Sequence, residues 1–128
     1  MAKGHRSQIK KERNQNKDTR PSAKLSYARM SAQKAGFVLD AIRGKDVQTA
    51  LGILAYNPRY ASSVIEKLLK SAIANAVNNN GMNPENLYVE ECFANKATTM
   101  KRIRPRARGM AYRIEKRMCH ITVILNER

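Results

Sequence analysis

Four arginines at alternate positions near the C-terminal end of the chain have the spacing and side chains for binding chemistry. They are Arg102, Arg104, Arg106 and Arg108. A guanidinium is planar, so it can hold a phosphate through two parallel hydrogen bonds, and it can also stack on a base. Alternate side chains of an extended segment lie on one face. Pro105 disfavours a helix here. The run therefore predicts one edge that carries all four guanidiniums.

The surroundings of this run favour binding over a merely solvated loop. Residues 96–114 contain no acidic side chain, whereas an ordinary surface loop mixes charges of both signs. Residues 96–117 hold nine basic residues against the single carboxylate of Glu115, a net charge of +8. We therefore expect this segment to bind a polyanion.

The charge of the whole chain leads to the same class of partner. The 128 residues include 25 Lys and Arg against 10 Asp and Glu, a net charge of +15 that would repel itself in a free protein. Residues 1–20 add a net +5, so the remaining 86 residues are nearly neutral at +2. Aromatic residues make up only 5% without Trp, which favours contacts to phosphate and sugar over base stacking.

The N-terminal segment, residues 1–20, has Ile9 as its one sizeable apolar side chain beyond Met1. It cannot bury enough surface to offset the entropy of ordering, so we expect a basic arm that is disordered when free and orders on a nucleic acid. A solubilising tail is one alternative. A mitochondrial transit peptide is another, although Glu12, Asp18 and the missing apolar face argue against it.

The remaining residues, 21–128, are long enough for a single domain with a core. A strand is expected at 24–30, followed by a helix that Ser31 caps and Gly44 ends. Asp46 would cap a second helix that stops at Asn57, and a third helix would span 61–78. Strands are expected at 87–94 and 111–125. The predicted class is α+β, with three helices packed on a small three-stranded antiparallel sheet and a long protruding β-hairpin.

This hairpin would span about residues 90–116. Two arms of about ten residues each, at roughly 3.3 Å per residue, would place its tip some 30 Å from the body of the domain. A two-stranded ribbon of that length is marginal in water because it has no second layer to pack against. We therefore expect a partner outside the chain to hold it.

Catalysis, a metal and a cofactor are not expected. Cys92 and Cys119 lie 27 positions apart without zinc-type spacing, and we interpret both as reduced packing residues. An RNA-modifying enzyme would need paired carboxylates, an activated nucleophile or a cofactor loop, and the acidic residues form no such arrangement. No apolar run reaches the length of about 20 residues that spans a bilayer. We expect a cytoplasmic protein that neither associates with a membrane nor forms a homo-oligomer.

A helix-turn-helix DNA-binding module is the alternative function, because two helices would meet at Gly44 and Lys45. The second of these helices would enter the groove. It carries Gln48 and Thr49 but none of the Arg or Lys that such a helix normally presents. The charge therefore disfavours this alternative.

Several stretches of the sequence resemble the signature of bacterial large-subunit ribosomal protein twenty-two, the universal L-twenty-two family. The strongest matches are at 101–109 (KRIRPRARG), 111–114 (AYRI) and 120–123 (HITV). Others are at 42–45, 68–76 and 86–89, and the resemblance runs in unbroken order over residues 24–128. Departures occur at Gln33, Gly36, Met110 and Glu115, where the family often has Arg.

The resemblance implies a non-enzymatic structural protein of translation. Its small domain would lie on the large subunit near the exit, and its hairpin would thread through 23S rRNA to the wall of the peptide exit tunnel. Its partners would be this rRNA, neighbouring ribosomal proteins and the nascent peptide. The rRNA-binding residues of the hairpin would be Lys96, Lys101, Arg102, Arg104, Arg106, Arg108, Arg113, Lys116 and Arg117. The arm lies outside the resemblance, and its charge alone adds Lys10, Lys11 and Arg13 to the expected rRNA contacts.

By the same resemblance, three residues would lie near the hairpin tip and face the tunnel. They are Met100, Lys101 and Arg102. Changes in this part of the family are associated with macrolide resistance.

Overall fold

The computed structural model describes residues 6–128, apart from the side chain of Ser7. Within this described range, four α-helices and five strands follow one another in an α+β order. They are α1 (Arg6–Gln15), β1 (Ser22–Ala28), α2 (Ala32–Ile42), α3 (Val47–Tyr56), α4 (Tyr60–Asn80), β2 (Leu87–Lys96), β3 (Met100–Pro105), β4 (Ala111–Lys116) and β5 (Cys119–Glu127), with a 3-10 turn at Ala107–Gly109 between β3 and β4.

The sheet of the body is antiparallel, with β5 between β1 and β2. Leu25 pairs with Ile121 on one side of β5, and Cys92 pairs with Val123 on the other. Ile121, Val123 and Leu125 are fully buried, as the period of two predicts. Ile124 is also buried, so the expected alternation is lost at that residue.

Local side-chain chemistry sets the ends of α2. The Oγ of Ser31 accepts a hydrogen bond from the amide of Lys34 at 3.3 Å, which confirms Ser31 as the N-cap. Gly44 follows the helix at a φ of +73°, a conformation that costs glycine little. Its amide donates to the carbonyl of Val89 at 2.8 Å, so the loop that ends α2 is tied to β2.

The long helix α4 packs on the inner face of the sheet and on the other body helices. It begins at Tyr60, one residue earlier than expected, and runs to Asn80, two residues later. Gly81 ends it in the left-handed conformation, with a φ of +65°. Its buried stripe includes Ile65 and Leu69, both fully buried. The three body helices and the three-stranded sheet thus enclose one core.

The core is aliphatic. Its largest fully buried side chains are Leu, Ile and Val, with Cys119 among them. The chain has seven aromatic residues, and Tyr88 is half-buried. The other six are exposed, namely Tyr27, Phe37, Tyr56, Tyr60, Phe93 and Tyr112. Aromatic side chains ordinarily contribute heavily to cores and interfaces. Here they are available for contacts at the surface.

The secondary structure departs from the sequence-based expectations at further points. Residues 111–125, expected as one strand, form β4 and β5 with a break at Arg117 and Met118, because β4 pairs with β3 whereas β5 pairs with β1 and β2. β1 begins two residues earlier than expected. An additional helix, α1, lies in the N-terminal segment, and all its described side chains are exposed. Residues 1–5 of the expected arm lie outside the described residues.

Candidate nucleic-acid interface

A two-stranded ribbon formed by β3 and β4 projects from the body. It contains six cross-strand pairs, from Met100 opposite Lys116 to Pro105 opposite Ala111. The ladder is shorter than the arms of about ten residues that the sequence predicted. Residues 97–99 and 117–118 join it to the body and belong to no strand. Met100 and Ile114 are half-buried, and every other side chain of the ribbon is exposed. Among residues 6–128, no second layer of protein covers either face of the ribbon.

The register divides the basic residues of the ribbon between two faces. Arg102 lies opposite Ile114 and Arg104 opposite Tyr112, so these two arginines share a face. The other face carries Lys101 and Arg113. The ribbon thus presents cations on both sides.

The expectation that four guanidiniums share one edge is wrong. Arg102 and Arg104 are on one face, but the extended conformation stops at Pro105, and Arg106 and Arg108 belong to the turn. The amide of Arg106 donates to the carbonyl of Met110 at 2.8 Å, which closes the turn. Arg108 is left-handed, with a φ of 60°, so the period of two no longer applies.

The hairpin tip consequently lies at residues 106–110, and the expected position of Met100, Lys101 and Arg102 near the tip is wrong. Met100 pairs with Lys116 at the end of the ribbon nearest the body. The physical reason is the place of the turn, where Arg108 and Gly109 both adopt positive φ angles. The three residues lie on one flank of the ribbon.

At the tip, the guanidinium carbon of Arg106 lies 5.7 Å from the centroid of the Tyr112 ring, a cation–π distance. Arg106, Ala107 and Tyr112 also line a shallow cleft. Met110 beside them is 55% exposed. The tip thus combines a positive charge with an aromatic face, which can contact a phosphate and a base together.

At the base of the hairpin, Lys96, Lys116 and Arg117 are all exposed. A nitrogen of the Arg117 guanidinium lies 3.1 Å from a carboxylate oxygen of Glu115. Glu115 also lies opposite Lys101 in the ladder. The acidic residue of this segment is thus surrounded by cations, and the base of the hairpin keeps a positive excess.

The basic residues of α1 fall on more than one side of the helix. Arg6, Lys10 and Arg13 recur at spacings of four and three and therefore share a face, whereas Lys11 does not. Lys10, Lys11 and Arg13 are all exposed. This helix could not be predicted from the sequence, because a segment without an apolar stripe gives no packing signal.

Arg20 connects the end of the N-terminal segment to the sheet. Its guanidinium lies 2.7 Å from a carboxylate oxygen of Asp18, 2.9 Å from Glu90 and 3.0 Å from Glu91. Glu90 occupies the irregularity of β2 between Val89 and Glu91. The hydrogen bond from the Arg20 side chain lowers the pKa of Asp18 from 3.8 to about 2. This arginine is therefore engaged by carboxylates of the protein itself.

The two thiols have the environment of packing residues. Cys92 and Cys119 are free and buried, and burial raises the pKa of both. The Sγ of Cys92 lies 3.4 Å from the carbonyl oxygen of Leu39. Within residues 6–128, no three His, Cys, Asp or Glu side chains are grouped as a metal would require. None of the helices in that range has the length and apolar character to cross a membrane.

A small aliphatic α+β body with an unsupported cationic ribbon is the build of a structural component of a ribonucleoprotein. Comparison with known proteins then gives the family. The family model described as Ribosomal protein L22p/L17e matches residues 23–126. The chain therefore belongs to this family of large-subunit ribosomal proteins.

Individual relatives match the chain over most or all of its length. The chain is 79% identical over 128 residues to the protein named Large ribosomal subunit protein uL22 of Lachnoclostridium phytofermentans, covering 100% of both chains. It is 77% identical to the protein of that name from Lachnospira eligens, again over 100% of both. For the Acetivibrio thermocellus protein the identity is 58% over 104 residues, 81% of this chain and 83% of the relative.

Family membership confirms several of the sequence-based expectations. The protein is a structural constituent of the large ribosomal subunit, not an enzyme. Its place is the ribosome, which in bacteria lies in the cytoplasm. The helix-turn-helix alternative finds no support in the fold, since α3, its groove-entering helix, buries Val47, Ala50 and Leu54 in the core and carries no Arg or Lys.

Proposed function

We propose that this protein binds 23S rRNA directly and that its hairpin lines the peptide exit tunnel. The observation that carries the proposal is the exposure of the β3–β4 ribbon on both faces, with cations on each. An isolated ribbon is marginally stable in water. A surrounding polyanion would neutralise its charge and replace the missing second layer.

The rRNA contacts would come from two parts of the chain. In the hairpin they are Lys96, Lys101, Arg102, Arg104, Arg106, Arg108, Arg113, Lys116 and Arg117, and in the N-terminal arm Lys10, Lys11 and Arg13. The division of the ribbon's cations between two faces supports a ribbon that is enclosed by RNA rather than laid on its surface. Ordering of the arm against RNA is part of this proposal, and the exposure of every described side chain of its helix α1 supports a contact outside the protein.

The tunnel wall would be met by the tip at residues 106–110 and by the flank that carries Met100, Lys101 and Arg102. The exposed side chain of Met110 offers an apolar contact to a nascent peptide. Changes on the flank would alter the passage of macrolides or nascent chains through the position of the tip, because the flank determines the length and register of the ribbon.

Filter binding of the full chain to an in vitro transcript of 23S rRNA tests the proposal. For about ten phosphate contacts, the slope of log K against log salt is on the order of −7 to −9. Changing Arg102, Arg104, Arg106 and Arg108 to Ala should flatten it by roughly 3. An unchanged slope, or preferential binding to one duplex DNA sequence, would contradict the proposal. A density map of purified ribosomes would show directly whether the tip reaches the tunnel.

A further inference from the structure

A cleft of about 660 Å³ opens at the base of the hairpin. Three junctions of the chain meet there. Residues 29–31 lead from β1 into α2, residues 59–61 begin α4, and residues 115–117 end β4. The cleft therefore borders both the body and the ribbon.

The lining of this cleft is strongly cationic. Five basic side chains contribute to it, namely Arg29, Lys34, Arg59, Lys116 and Arg117. The opposing charge is Glu115, which already pairs with Arg117 at 3.1 Å. Like charges gathered around one concave surface repel each other, and a bound anion would relieve that repulsion. The cleft thus has the electrostatics of a phosphate site.

The cleft also contains an aromatic ring. Tyr60 lines it and is 68% exposed. The adjacent Arg59 is positioned by Phe37, whose ring centroid lies 5.7 Å from the guanidinium carbon. A base can stack on a tyrosine face while neighbouring cations hold its phosphate. The volume falls within the range of about 300–1,000 Å³ that is usual for sites binding small organic molecules.

A second cleft of about 450 Å³ adjoins the first and shares Ser31, Glu115 and Arg117 with it. Lys96 and the first residues of α2, Ala32 and Gln33, complete its lining. The amides of the first helical turn have no acceptor within the helix, so those of Ala32 and Gln33 can donate to an anion. The backbone of one RNA strand can therefore run through both clefts, past the base of the hairpin.

We propose that the larger cleft receives one unstacked nucleotide of a kinked rRNA strand, with its base on Tyr60 and its phosphate among Arg29, Lys34 and Arg59. The next phosphate lies at the start of α2 beside Lys96. This site rests on the rRNA binding proposed above, but the three cations that hold its phosphate, Arg29, Lys34 and Arg59, belong to the body and to neither the ribbon nor the arm. Its occupant bridges the three junctions and thereby fixes the angle between ribbon and body.

Two sets of variants of the full chain test the site in the same filter-binding assay with the 23S transcript. Changing Arg29, Lys34 and Arg59 together to Ala should flatten the salt slope by roughly 2 to 3. A matched control changes Lys24, Lys45 and Lys67 to Ala, which are exposed but line neither cleft, and should change the slope by less than about 1. Equal changes in both triple variants would overturn the proposal.

The second set tests stacking. Tyr60→Ala should weaken binding roughly tenfold without changing the salt slope, because it removes a ring and no charge. Tyr60→Phe keeps the ring and should bind as the parent does. Tyr56→Ala is the control, since Tyr56 is 92% exposed but does not line the cleft. Equal loss in Tyr60→Ala and Tyr56→Ala, or no loss in either, would overturn the stacking contact.

These outcomes separate the two proposals. If the parent chain does not bind the transcript, direct rRNA binding fails and this site fails with it. If the parent binds and the hairpin arginines matter while the cleft variants behave as the parent, only the site is overturned. Saturable binding of cytidine monophosphate that Tyr60→Ala abolishes, with transcript binding unchanged, would assign the cleft to a free nucleotide and likewise overturn it.

Discussion

The backbone amide of Tyr27 donates a hydrogen bond to Nδ1 of His120 across 3.0 Å. The two rings meet edge to face, with centroids 4.7 Å apart. Tyr27 has a φ of 56° and lies where the pairing of β1 with β5 shifts register, between Leu25 and Ala28. His120 thus stabilises the irregular backbone at the end of β1, directly before Arg29 at the cleft.

This contact makes a prediction about His120. His120→Leu removes the acceptor and should lower the free energy of unfolding by about 1 kcal/mol, as measured by urea denaturation. His120→Asn is the matched control, because the side-chain oxygen of Asn can accept the hydrogen bond from the same amide. This variant should lose less of the free energy of unfolding. Equal losses would show that the hydrogen bond does not contribute. Nitrogen NMR of the neutral imidazole should find its proton on Nε2, since Nδ1 is the acceptor.

The two faces of the ribbon can be compared directly in RNA binding. Arg102 and Arg104 share one face, and Lys101 and Arg113 share the other. If RNA encloses the ribbon, changing either pair to Ala should flatten the salt slope by about 1.4 to 1.8. Filter binding to the 23S transcript measures the salt slope of each double variant. A change confined to one pair would show that the ribbon lies against RNA by a single face.

Deleting Met100, Lys101 and Arg102 should leave assembly intact but displace the tip. The deletion removes three of the six residues of β3, and an odd shift in register turns the remaining side chains to the opposite face. Susceptibility to a macrolide and a density map of the variant ribosome would measure the effect. Changing the same three residues to Ala preserves the length and should act more weakly. If the deletion and the triple Ala variant changed macrolide susceptibility equally, the effect would come from the three side chains and not from the register of the ribbon.

Asp18 should titrate well below an ordinary aspartate. The side-chain hydrogen bond from Arg20 lowers its pKa from 3.8 to about 2. A carboxylate with a depressed pKa in the folded state adds stability above its unfolded pKa, and this contribution is lost as the pH falls through the folded value. The loss is therefore expected between about pH 4 and pH 2. Carbon NMR of the Asp18 carboxyl should show a titration midpoint of about 2. Arg20→Gln should return this midpoint towards 3.8.

The body of the fold could be predicted from the sequence because its signals are local and agree with one another. Ser31 as a cap and Gly44 beyond the helix end are short-range chemistry, and the apolar stripe of α4 has an unambiguous period. The antiparallel α+β arrangement followed from these elements. The helix α1 could not be predicted in the same way, since no buried face marks it.

The candidate site was predicted less completely. Counting charges found the ribbon, but the position of its tip depends on the left-handed conformations of Arg108 and Gly109, which a run of alternating arginines conceals. The cleft was missed because Arg29, Arg59 and Lys116 are far apart in sequence and meet only in the fold. Tyr60 stands just before the apolar stripe of α4, and an aromatic residue outside such a stripe is the signal that could have indicated it.

An aliphatic core has a consequence for spectroscopy. The chain lacks Trp, and four of its five Tyr residues are exposed while Tyr88 is half-buried. Every chromophore that absorbs near 280 nm therefore lies outside the packed interior. The near-ultraviolet signals of this protein report on what touches its surface, so intrinsic tyrosine emission can follow RNA capture while remaining largely blind to the core.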